Sequence, residues 1–86
     1  MKIFDGKEIK YCSKFKDPYP HFAGKFAGKE AFQKAVKKPI SMIEIHTTHG
    51  SFGEPILNCD KIKCKKIELS ISHEKHYAIA TVLVFW

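Results

Sequence analysis

The C-terminal end of the chain constrains the fold most. In KKIELSIS (65–72), Ile67, Leu69 and Ile71 alternate with Glu68 and Ser70. Alternation with period two places the two sets on opposite faces of a β-strand. The next block, YAIATVLVFW (77–86), is β-branched and apolar at almost every position. Strands covered on both faces read this way. The predicted strand is therefore central, with a helix on one side and the aromatic N-terminal segment on the other, or it offers one face to a partner. The run is too short for a membrane-spanning helix, which needs about 20 residues.

Upstream, Pro39 divides the chain. Before it, GKEAFQKAVKKP predicts a helix over 29–38, with Ala31, Phe32, Ala35 and Val36 as its apolar stripe. Lys34, Lys37 and Lys38 near its end suit the helix dipole, and Pro39 stops it. Residues 2–15 read as extended: Asp5-Gly6 is a turn pair, and Ile9, Tyr11 and Phe15 alternate with Glu8, Lys10 and Lys14. KDPYPHFAG carries Pro18 and Pro20 and reads as an aromatic loop. FAGKFAGK (22–29) is a tandem repeat too short for a solenoid. Its glycines, Gly24 and Gly28, break any early helix. After Pro39, strands are predicted at 41–47, 51–59 (an edge or a late start, given Pro55), 65–72 and 77–86. The expected fold is α+β in the order β-α-β-β-β-β. One helix packs on an antiparallel sheet of four to five strands, in a single domain, 1–86.

Charge narrows the partners. The chain of 86 residues has a net charge of +6, and every basic residue is lysine. Positive charge draws anionic partners, but without arginine there is no bidentate reader of guanine or phosphate. Two lysine clusters stand out: Lys25, Lys29, Lys34, Lys37 and Lys38, and then Lys61, Lys63, Lys65 and Lys66. With Tyr19 and Phe22 beside the first, the predicted binding residues are Lys25, Lys29, Lys34, Lys37, Lys38, Tyr19 and Phe22. They fit an acidic protein surface or a nucleoprotein complex. DNA or RNA bound directly by backbone attraction and base stacking is the alternative.

The potential metal ligands are His46, His49, Cys59, Cys64, His73 and His76. In the predicted meander, the turns HTTHGS and SHEKHY fall at one end of the sheet and CDKIKC at the other. The histidines converge across about 10 Å, two strand spacings, while the cysteines lie apart from them. No closed ligand set with known spacing results, so neither a metal nor a cofactor is expected. The odd count of 3 cysteines fits reduced thiols in a cytoplasmic protein, with Cys59 and Cys64 as small core residues. No apolar leader opens the chain. HTT resembles half of the paired His-x-Thr element of two-histidine phosphoesterases, but its mate is missing. No nucleophile–base set is apparent, so catalysis is not expected.

The organisation carried by GKEAFQKAVKKP, SMIEIHT, KKIELSIS and YAIATVLVFW is similar to small phage-encoded inhibitors, anti-CRISPR proteins among them. That resemblance implies stoichiometric inhibition of a host nucleoprotein complex through a basic and aromatic surface. No family site residues transfer. The C-terminal strand is the surface expected to form a homodimer.

Overall fold

The computed structural model describes residues 2–74 and 76–86. Lys75, in the turn predicted at 73–76, lies outside the described residues. Helix α1 spans Gly6–Ser13 and α2 spans Tyr19–Ala35. A 3-10 turn, Met42–Glu44, leads into strands β1 (His46–His49), β2 (Pro55–Asn58), β3 (Lys66–His73) and β4 (Ala78–Phe85). The fold class is α+β, as expected. The leading strand and the single continuous meander are not found.

Within residues 2–15, read as extended, Gly6–Ser13 form a helix because Asp5 caps it. The Asp5 carboxylate accepts the Glu8 amide at 2.8 Å, and the Glu8 carboxylate accepts the Asp5 amide at 2.9 Å. This reciprocal box satisfies two otherwise orphaned donors and is worth about 1 kcal/mol. The alternation read there was deceptive. Ile9 is exposed, whereas Glu8 and Cys12, four apart, are buried. A glutamate facing inward cannot be foreseen without its partner.

Helix α2 starts ten residues before the predicted 29. Pro18 is its N-cap and Pro20 lies in its first turn, where the missing N–H has no intrahelical partner to lose. Gly24 and Gly28 sit inside the helix and each weakens it by roughly 1 kcal/mol relative to Ala. Their compensation is close packing on β3. A Cβ at Gly24 would lie 2.9 Å from Ile71 Cγ2, and one at Gly28 would lie 3.1 Å from Leu69 Cδ1. The helix ends at Ala35, where the Val36 amide still donates to Phe32 O.

Both hairpins are antiparallel. In the first, His46 pairs with Asn58 and His49 with Pro55; in the second, Lys66 pairs with Phe85 and His73 with Ala78. They form separate two-stranded sheets rather than one of four or five, with β2 packed beside β3. Helix α2 lies across β3 and β4. The core gathers Phe32, Val36, Ile40, Ile45, Leu57 and Cys59, backed by Ile67, Leu69, Val82 and Val84. The predicted strand at 41–47 is mostly the 3-10 turn, closed by reciprocal Ser41–Glu44 bonds. The outer face of β4 carries Ile79, Leu83 and Phe85, all exposed. The N-terminal segment does not cover it, because α1 packs on α2 and β1 instead. All three cysteines are free. Among the described residues, no helix is long and apolar enough to cross a membrane.

Gly24→Leu should destabilise the protein by about 1–3 kcal/mol, the usual range for overpacking. Gly6→Ala, where nothing lies within 4 Å, should stay within about 0.5 kcal/mol. Urea denaturation of both variants checks this. Equal effects would mean that the α2–β3 contact is not tight.

Candidate functional site

The tandem FAGK repeat places its lysines as well as its glycines four residues apart, on one face of α2. Both lysines are buried: Lys25 is 3% exposed and Lys29 0%. Lys29 Nζ donates to Glu8 Oε1 at 2.7 Å, Ile3 O at 2.6 Å and Met42 O at 3.1 Å. All three ammonium protons are therefore used. Glu8 is equally satisfied. Its Oε1 also accepts from the Asp5 amide, and its Oε2 accepts the Thr47 amide at 2.7 Å and the Thr47 hydroxyl at 2.6 Å.

The chain of polar contacts continues through Thr47. With its proton given to Glu8, Thr47 Oγ1 accepts from Lys25 Nζ at 2.9 Å. Lys25 Nζ also lies 3.0 Å from His49 Nε2. Burial pulls the Lys25 ammonium below its usual range, against the opposing attraction of Glu8. Two of its three N–H donors thus have acceptors, and the side chain reaches the wall of a cleft of about 280 Å³. Tyr11, His21, His49, Gly53 and His73 line that cleft with it.

Aromatic stacking fixes these walls. The Tyr11 and His49 rings stack at 3.9 Å, and Phe15 and His21 at 3.6 Å. His73 meets His21 edge-on at 5.3 Å. Lys14 Nζ stands 4.3 Å from the Tyr11 ring centre. Burial first, then neighbouring cations, hold His49 below the usual histidine range; burial and His73 do the same to His21. The turn between β1 and β2 closes the rim. There Gly53 adopts φ +82°, which glycine tolerates without strain. The result is a cleft with a buried cation and three histidines in its wall, an arrangement that suits an anion.

A second cleft, of about 500 Å³, lies on the opposite face of α2. Phe22 and Phe26 form its apolar wall, and Glu30, Glu74 and His76 its polar side. Among the described residues, no three His, Cys, Asp or Glu side chains group to hold a metal ion by themselves.

The seven residues predicted to bind divide among several places. Lys25 lines the first cleft, and Tyr19 and Phe22 line the second. Lys29 is sealed in the interior. Lys34, Lys37 and Lys38 are exposed, and the last two flank a groove at the far end of α2 with Lys61, Lys63 and Trp86. The lysines do not form one face. Of the predicted histidine group, His49 and His73 share the first cleft, His76 lines the second, and His46 turns to Asp5 at 2.8 Å. His21, Glu8 and Thr47 were not foreseen, and Tyr11 was foreseen only as an aromatic available for base stacking. The signal available for them was the i, i+4 spacing of the FAGK repeat, legible only once α2 is known to begin at Tyr19.

Comparison with known proteins adds the chemistry. Residues 1–82 match the family model of the 4'-phosphopantetheinyl transferase superfamily. A holo-[acyl-carrier-protein] synthase of Thermodesulfovibrio yellowstonii is 41% identical over 85 residues, covering 96% of this chain and 74% of the relative. One from Chlamydia pneumoniae is 42% identical over 90 residues, covering 95% of this chain and 74% of the relative. The crystal structure of the Bacillus anthracis synthase in complex with CoA (3',5'-ADP) superposes with a TM-score of 0.85 at 31% identity, over 96% of this chain and 76% of that one. The Helicobacter pylori synthase in complex with coenzyme A superposes with a TM-score of 0.82 at 32% identity, over 95% and 76%.

These matches overturn the expected non-enzymatic, phage-type inhibitor and the nucleic-acid alternative, because the relatives are transferases. The anti-CRISPR-like resemblance rested on a helix-on-sheet outline that many unrelated small proteins share.

Breaking the buried pair should be costly. Glu8→Ala or Lys29→Met alone should lose about 3–5 kcal/mol, since each strands a buried charge. The double variant Glu8→Ala/Lys29→Met should recover part of the loss. A double-mutant cycle by urea denaturation reads the coupling, and additive losses would show that the pair is not a unit.

Proposed function

The chain belongs to the 4'-phosphopantetheinyl transferase superfamily, and on that footing we propose that it transfers the 4'-phosphopantetheine of coenzyme A to an acyl carrier protein. The observation that carries the reading is the Lys25 cleft in a fold whose solved relatives bind CoA or 3',5'-ADP. CoA joins its pantetheine phosphate to 3',5'-ADP through a pyrophosphate bridge. A nucleophile of the carrier protein forms a new bond to the phosphorus bearing pantetheine. The bond from that phosphorus to the bridging oxygen breaks, and its electron pair leaves with 3',5'-ADP. The nucleophile's proton passes to solvent or a neighbouring base.

The chain's own residues contribute electrostatics and position. Lys25, held by Thr47 and His49, presents a fixed cation whose field is little screened by water. Its position is set before a phosphate arrives. Tyr11 and the rim at Gly53 shape the wall.

The carrier protein takes the place of the acidic partner expected from composition. The net charge of +6 and the exposed Lys34, Lys37 and Lys38 draw an acidic protein by long-range attraction. Self-association through β4 also belongs to this proposal. Ile79, Leu83 and Phe85 make an apolar strip on its outer face, and exposed strips of this kind mark interfaces.

Purified protein incubated with CoA and apo-carrier protein should add one phosphopantetheine per carrier, read by intact mass. Lys25→Met should raise KM for CoA about 10–100-fold, the value of one or two hydrogen bonds to a charged group. Absence of both transfer and CoA binding in the wild type would reject the assignment. For the β4 strip, Leu83→Lys should lower the mass measured by light scattering. A wild type that runs as a monomer at all concentrations would reject self-association.

A further inference from the structure

His49 sits between a carbonyl and an ammonium. Its Nδ1 is 3.2 Å from Gly53 O, which only accepts, so Nδ1 carries a proton. Its Nε2 is 3.0 Å from Lys25 Nζ, which only donates, so Nε2 is bare and the ring is neutral. Stacking on Tyr11, at 3.9 Å and 20°, holds the ring plane. A proton on Nε2 would aim an N–H at an ammonium in a partly buried site, where repulsion is poorly screened.

The groups facing His49 are all identifiable. Lys25 comes from α2, and Tyr11 and Lys14 from α1; Glu54 comes from its own loop, and His21 and His73 from across the cleft. Burial, Lys25 and Lys14 disfavour its protonation, while the Gly53 bond and Glu54 favour it. An anionic oxygen arriving at Lys25 would reverse this balance. It would supply an acceptor for a new Nε2–H and cancel the ammonium charge that excludes it.

Resting on the reading of this cleft as the CoA subsite, we infer that His49 takes a proton from solvent onto Nε2 as the polyanion binds, becoming a second cation beside Lys25. One bond forms, Nε2–H, and the Lys25–His49 hydrogen bond is exchanged for two to the anion. The Nδ1–H bond to Gly53 persists in both states, so the charge changes while the rim stays in place. Because the bound form holds more protons, affinity rises as pH falls through the range between the free and bound pKa values of His49. The slope approaches about tenfold per pH unit for one fully linked proton.

The test is calorimetric titration of CoA into the protein near about pH 7, where histidine titrates, in buffers of different ionisation enthalpy. The buffer dependence counts the protons taken up. His49→Gln is the informative variant: its carbonyl can accept from Lys25 and its amide can donate to Gly53, but it cannot titrate. Wild type should take up a substantial fraction of a proton more than His49→Gln, and its affinity should gain on the variant's as pH is lowered. Ionisation of the ligand's own phosphate, with a pKa near about 6, cancels in the difference. His46→Gln, at a histidine outside the cleft and bonded to Asp5, should keep the wild-type uptake, and amide NMR spectra confirm that each variant is folded. Binding with equal uptake in wild type and His49→Gln overturns the role of His49 alone. A wild type that binds neither CoA nor 3',5'-ADP overturns the CoA reading, and this inference falls with it.

Discussion

The ion pair between Glu8 and Lys29 is the contact on which the rest of the structure depends. Burying two charges is unfavourable unless every proton and lone pair finds a partner. Here they do. Lys29 uses its three donors on Glu8, Ile3 O and Met42 O, and Glu8 accepts from Lys29, Asp5 and Thr47. One pair therefore ties together the N-terminal segment, both helices, the 3-10 turn and β1. A partly satisfied version would be worse than an apolar core. The geometry of these five segments is thus fixed together or not at all.

The same network explains where local reading succeeds and fails. β3 was legible because its alternation reflects a solvent boundary that the strand meets directly, and β4 was legible as a strand from its β-branched run, although its apolar outer face is exposed. The apolar stripe of Phe32 and Val36 was legible for the same reason as β3, and Pro39 marked the passage from helix to strands. Helix α1 was not legible. Its buried residues are Glu8 and Cys12, and a buried glutamate reads as surface until Lys29 and Thr47 are placed around it. The start of α2 was hidden by two prolines and two glycines, which local propensity counts against a helix. Packing on Ile71 and Leu69 overrides that propensity, and it is a contact across more than 40 positions of sequence.

The candidate site shows the same division. That His49 and His73 come to one end of the structure follows from counting hairpin turns, even though the strands belong to two small sheets. Tyr11 and His21 are supplied by helices and are invisible to that count. The lysines misled in a specific way: as a run of charge they read as a solvated face, yet Lys25 and Lys29 are among the most buried residues of the chain. A cleft lined by one interior lysine and several histidine rings has no short motif. Its parts come from α1, α2, the β1–β2 turn and β3, so relatives, not spacing, reveal the chemistry.

The FAGK repeat links stability to the site. Its second lysine, Lys29, closes the structural network, and its first, Lys25, carries that network to the cleft wall. Thr47 joins them, since its hydroxyl donates to Glu8 and accepts from Lys25. The position of the cation at the cleft is therefore set by the contacts that hold the helices to the first hairpin. A surface lysine would bring a mobile charge, screened by water and slow to settle on a phosphate. An interior lysine is costly to desolvate, and Thr47 and His49 offset part of that cost; in return its charge is little screened by water. Four residues of helix separate the charge that builds the fold from the charge that lines the cleft. Any change that loosens Glu8 must then weaken both.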